Sequence, residues 1–119
     1  MLLDDEFDIV TIFTRGLRKN GFTVFGFSDP LIALEHFKVN SQSYRLVVTD
    51  VRMPKMNGFE FASNVREINP KVKIVLMSAF ELSDVEYSAA LHSLKIDGFL
   101  RKPVEIPTLI KEVRDTVTG

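Results

Sequence analysis

The sequence predicts an α/β fold, a five-stranded parallel sheet doubly wound by five helices. Three observations predict it. Short apolar or β-branched runs alternate strictly with segments of helical periodicity, and strict alternation requires parallel strands with helices on both faces. Val72–Met77 is nearly unbroken apolar, the mark of a strand covered on both sides. The connections are short, with no repeat, low-complexity tract or linker, so residues 1–119 read as one domain.

Met1-Leu2-Leu3 has the character of a strand end and runs straight into Asp4-Asp5-Glu6. Strands commonly run ~5–6 residues, so this one is either clipped or preceded by something upstream. Ile9, Val10, Ile12, Phe13 and Leu17 fall at helical spacing, and Asn20-Gly21 ends that helix. Phe22 to Phe27 alternates as a strand does. Ser28-Asp29-Pro30 starts a second helix, a capping side chain followed by proline at the first helical position, with Ala33, Leu34 and Phe37 inward.

Asn40 to Tyr44 reads as loop, and Arg45 to Thr49 as a β-branched strand ending on Asp50. The turn Arg52-Met53-Pro54-Lys55-Met56-Asn57-Gly58 leads into a helix from about Gly58 to Ile68, closed by Asn69-Pro70. After Val72–Met77 and the loop at Ser78, Ser83 or Asp84 can cap a fourth helix carrying Val85, Ala89, Ala90, Leu91 and Leu94. Ile96 to Arg101 is a short last strand, closed by Lys102-Pro103. Leu109, Ile110, Val113 and Val117 line a terminal helix that tolerates Pro107 near its start.

Composition narrows the function. Apolar residues are 45% of the chain, with ten Phe and no Trp, as in a folded globular domain. A formal net charge of −1 provides no basic field for nucleic acid or anionic membrane. The absence of Cys excludes disulfides, thiolate catalysis and zinc-thiolate sites. No apolar run reaches the ~20 residues of a membrane span, and nothing resembles a signal peptide. A soluble, cytoplasmic domain is expected.

In a parallel α/β sheet every strand-to-helix loop emerges on one edge, where ligands bind. That places Asp4, Asp5, Asp50, Ser78 and Lys102 together, since each stands where an apolar strand ends. Three adjacent carboxylates repel unless a cation lies among them. Hard oxygen donors suit Mg²⁺ (or Mn²⁺), and lysine and hydroxyl donors suit phosphoryl oxygens. Three carboxylates and one ammonium sum to −2, which one divalent ion neutralises. Phosphoryl transfer with an Asp nucleophile follows.

Four segments carry a family resemblance: Leu2-Leu3-Asp4-Asp5-Glu6, Asp50-Val51-Arg52-Met53-Pro54 with Asn57-Gly58, Met77-Ser78-Ala79, and Gly98-Phe99-Leu100-Arg101-Lys102-Pro103. Each alone is a weak motif; in this order at strand ends they are specific. The chain resembles, from end to end, a receiver domain of two-component response regulators. The resemblance implies the flavodoxin/CheY-like strand order 2-1-3-4-5. It implies Asp50 as phosphoacceptor, Asp5 as direct Mg²⁺ ligand, Asp4 as ligand through water, and the Arg52 backbone carbonyl as a further ligand. Lys102 and Ser78 would contact the phosphoryl group, the Lys102-Pro103 bond would be cis, and Ser78 with Phe99 would form the switch.

The same resemblance implies a sensor histidine kinase or phosphotransfer protein as donor. An unidentified partner or output domain would read the face of the fourth helix, fifth strand and fifth helix, which could also form a homodimer. Direct nucleic-acid binding and membrane contact are not expected. Arg52 and Phe80 stand where relatives flank the path of the hydrolytic water, and their bulk is expected to obstruct it.

Other readings have specific requirements. A haloacid-dehalogenase-like phosphatase needs a second carboxylate two residues after its nucleophile, where this chain has Arg52. A flavodoxin-like cofactor carrier needs a hydroxyl- or Gly-rich loop after the first strand, where this chain has Asp4-Asp5-Glu6. A pseudo-receiver working by contact alone would not need the intact acidic set. His36 and His92 read as exposed helix residues, most Phe as core, and Met53, Pro54 and Met56 as turn and packing residues.

Overall fold

The computed structural model describes residues 1–79, 89 and 92–119. In chain order the strands are β1 (Leu2–Leu3), β2 (Gly26–Phe27), β3 (Leu46–Asp50), β4 (Lys73–Ser78) and β5 (Gly98–Arg101). The helices α1 (Phe7–Lys19), α2 (Pro30–Asn40) and α3 (Gly58–Ile68) are joined by a C-terminal helix, Ile106–Thr118. The loop residue Phe80 and most of the predicted fourth helix, including Ser83, Asp84, Val85, Ala90 and Leu91, fall outside the described residues; residues 92–94 at its end are helical. All pairings are parallel, in the order β2-β1-β3-β4-β5 that the resemblance implies.

The sheet divides the core in two. Leu3, Val47, Ile74 and Leu76 meet Ala33, Phe37, Phe61 and Val65 of α2 and α3 on one face. Leu2, Val48, Val75 and Met77 meet Phe13 and Leu17 of α1 and Leu109 and Val113 of the C-terminal helix on the other. Alternate residues of one strand thus serve opposite layers, which is why β3 and β4 are apolar at nearly every position.

The second strand is shorter than its alternation suggests. A parallel strand extends only as far as its neighbour, and β1 offers two residues, pairing Leu2 with Gly26 and Leu3 with Phe27. Residues 22–24 run on without a strand beside them, along a cavity of about 610 Å³ lined by Phe22, Val24, Tyr44, Leu46 and Val113. The Arg18 guanidinium donates to the Val24 carbonyl at 2.7 and 3.2 Å, satisfying one acceptor there. β3 and β4 each lie one residue later than the sequence boundaries, β5 starts two residues later and ends where expected, and the expected loop at Asn40–Tyr44 contains a short 3₁₀ turn, Ser41–Ser43.

Two side-chain expectations change. His36 is half-buried: its Nε2 lies 2.5 Å from the Tyr44 hydroxyl, Asn40 donates to its backbone carbonyl, and Phe25 and Phe27 pack against its ring. The outer side of α2 is closed by the chain returning into β3, and sequence spacing does not reveal that. Phe7 and Phe25 are exposed, 70% and 50%, so not every Phe is core. His92 is exposed as expected, and Met53 and Met56 pack against the α2–α3 side of the core.

Arg66 of α3 is a structural hub that periodicity does not reveal. Its guanidinium donates to the carbonyls of Leu94, Lys95, Pro70 and Val72 and to Asp97 Oδ2, which also accepts from the Ile74 N–H at 2.8 Å. One side chain thereby ties α3 to the segments that enter β4 and β5. Among the described residues no helix is long and apolar enough to cross a membrane.

Candidate functional site

Four strand ends build the site. Asp4 follows β1 and is fully buried; its N–H donates to the Phe27 carbonyl, and its Oδ1 accepts the Glu6 N–H at 2.9 Å, turning the chain into α1. Asp5, next along, is exposed. Asp50 ends β3 at 6% exposure, and the Val51 N–H donates to Met77 O at 2.9 Å. Ser78 ends β4 at 1% exposure, and its carbonyl accepts the Lys102 N–H at 2.8 Å. Lys102 follows β5, and its bond to Pro103 is cis, as the resemblance implies.

The side chains converge. Carboxylate oxygens of Asp4, Asp5 and Asp50 lie within 4.8 Å of one another. The Lys102 ammonium sits 2.6 Å from Asp4 Oδ2 and 3.2 Å from Asp50 Oδ2. Burial pushes the Asp50 carboxyl up to about 6 against the lowering effect of Lys102, and the Asp4 charge adds to the rise. Burial alone would lower the Lys102 ammonium, but its hydrogen bond to Asp4 and the charges of Asp4 and Asp50 hold it above its ordinary value. The three acids and the lysine sum to −2, and all the acidic donors are hard oxygens, so their chemistry and spacing fit a divalent ion of the Mg²⁺ kind.

A proton on Asp50 competes with such an ion. Because the folded carboxyl binds its proton more tightly than a free one, ionised Asp50 costs stability above about pH 6. That cost disappears as pH falls from about 6 toward the ordinary carboxylate range. A magnesium titration should therefore show affinity about tenfold weaker at pH 5 than at pH 7.5. Equal affinities at the two pH values would contradict this charge assignment.

Arg52 is exposed on the loop two residues past Asp50. Phe99 is half-buried on β5, opposite Leu76, and packs against the core on the α2–α3 side. Phe80, expected to flank the water path, lies outside the described residues.

Gly58 has a role that the sequence reading missed. It opens α3 behind Asp50, its N–H donating to Val51 O at 2.7 Å, and an added Cβ would lie 2.2 Å from the Asp50 carbonyl oxygen. Asn57-Gly58 signals a turn, but only the packing shows that the glycine is needed for close approach. Gly58→Ala should cost about 1–3 kcal/mol in denaturant melts by forcing α3 off the β3 end. An unchanged midpoint would mean that the helix start shifts freely.

The sequence profile of the response regulator receiver domain matches residues 1–114. The response regulator receiver protein CpdR of Brucella abortus is 29% identical over 95% of this chain and 91% of its own length. The transcriptional regulatory protein ZraR of Klebsiella oxytoca is 32% identical over 92% of this chain, which spans only 24% of that longer protein. Among solved structures, the CheX–CheY–BeF3–Mg²⁺ complex of Borrelia burgdorferi aligns at a TM-score of 0.84 with 23% identity, over 96% of this chain and 84% of that one. With the fold, the strand order and the profile in agreement, the chain belongs to the response regulator receiver domain family.

Proposed function

We propose that this domain accepts a phosphoryl group on Asp50 from a phosphohistidine of a sensor kinase or phosphotransfer protein, and passes the signal on through a change of surface. The observation that carries this reading is the Lys102 ammonium set between Asp4 and Asp50, with Asp5 completing the acidic cluster. An Asp50 oxygen attacks phosphorus in line, forming the P–O bond as the P–N bond breaks and the imidazole leaves. Lys102 neutralises a phosphoryl oxygen, and the Ser78 hydroxyl donates to another. Asp4, Asp5, Asp50 and the Arg52 carbonyl would hold Mg²⁺ (or Mn²⁺), which when bound offsets the charge of the phosphoryl group. Phe99 then turns inward behind Ser78, and the β5 face changes for its reader.

The domain is in this reading a signalling phosphoacceptor that catalyses only its own modification and reset. Beryllofluoride with magnesium should raise the melting temperature by on the order of 10 °C at a hundredfold excess over its dissociation constant. Magnesium must be required, and Asp50→Asn should not respond. A parent protein indifferent to beryllofluoride would overturn the reading in favour of a contact-only domain.

A further inference from the structure

The loop from Val51 to Asn57, which carries the Arg52 carbonyl, is held at three places. Its ends are fastened by Val51, which bonds to Met77 and Gly58, and by Asn57, whose side chain accepts the Glu60 N–H at 2.9 Å. Its apex is a three-residue turn in which the Met56 N–H donates to Pro54 O at 2.8 Å around Lys55, at φ 72°. A lysine in the left-handed region is strained where glycine would not be. The Lys55 side chain has a partner across the chain: its ammonium lies 2.8 Å from Oδ2 of Asp29. The other oxygen, Asp29 Oδ1, accepts the Leu31 N–H and caps α2.

We infer that Lys55 and Asp29 form a latch between the α2 start and this loop, and that the latch positions the Arg52 backbone for the metal site. The inference rests on the proposed magnesium-dependent phosphorylation, but the latch itself is a property of the metal-free loop. The pair lies at the surface, side chains 56% and 27% exposed, so its effect should be a few-fold. Both residues are positioning residues, acting through the loop.

The charges separate the latch from simple electrostatics. Removing the lysine charge by Lys55→Met would strengthen magnesium binding if only long-range charge mattered, and removing the acid by Asp29→Asn would weaken it. The latch instead requires both to weaken magnesium binding, about threefold to fivefold, with the double variant no worse than the weaker single. Asp29→Asn keeps the capping oxygen, and Lys55→Arg should retain parent affinity. Hydrogen exchange of the Met56 amide in EDTA gives a metal-free reading and should accelerate in both charge-removing variants. Opposite signs for the two singles, multiplicative effects in the double, or unchanged Met56 exchange would each overturn the latch. Should the parent chain fail to bind magnesium, the phosphorylation reading falls, and Met56 exchange alone decides the latch.

Discussion

Asp50→Asn abolishes phosphoryl incorporation from acetyl phosphate and magnesium, and leaves the metal-free fold at least as stable as the parent. The two halves of this expected result have one cause. An amide is no nucleophile toward phosphorus, so the P–O bond cannot form. The amide also keeps the shape of the carboxylate at a site only 6% exposed, so the packing of β3 persists. Burial and the Asp4 charge disfavour ionised Asp50 and push it up to about 6. Removing that charge should therefore stabilise the protein above pH 6 by about 1 kcal/mol, after discounting for solvent screening. Intact-mass analysis reads the first effect and thermal melts in EDTA the second. A variant phosphorylated at the parent rate would move the acceptor elsewhere.

Lys102→Met is expected to produce the largest loss of stability. Asp4 is fully buried, with Lys102 at 2.6 Å as the cation beside it. Removing one partner of a buried pair leaves the other charge uncompensated, at a cost of about 3–5 kcal/mol. For a domain of this size that is a fall in melting temperature on the order of 10–20 °C. Two manipulations should recover part of it: magnesium, by supplying positive charge to the same oxygens, and mild acid, by protonating Asp50, whose carboxyl is pushed up to about 6. Melts in EDTA, in magnesium and at pH 5 test all three statements. A variant as stable as its parent in EDTA would mean that the Asp4–Lys102 pair does not hold the fold together.

The strand-end residues were legible in the sequence because a parallel sheet converts position along the chain into position on an edge. Asp4, Asp5, Asp50 and Lys102 needed only that rule to be brought together. Helix boundaries with chemical markers were legible too, as at Asp29-Pro30 and Asn57-Gly58, where a side-chain cap stands outside the first turn. Strand lengths were not, because β2 depends on what β1 offers it and not on its own alternation. The environment of His36 was hidden for a related reason: its partners Tyr44 and Phe25 come from other elements, and no local spacing encodes them. Gly58, Arg66 and the Lys55–Asp29 pair act through tertiary approach, where sequence pattern is silent.

The bond between Asp4 and Lys102 joins residues 98 positions apart. During ribosomal synthesis Asp50 is made well before Lys102, at a stage when neither β4 nor β5 yet exists. A nascent chain therefore holds the Asp50 carboxylate without the Lys102 ammonium that pairs with it in the fold. On the proposed reading, the acceptor becomes competent only when β5 brings Lys102 to it, so a chain still lacking β5 should not take up the phosphoryl group.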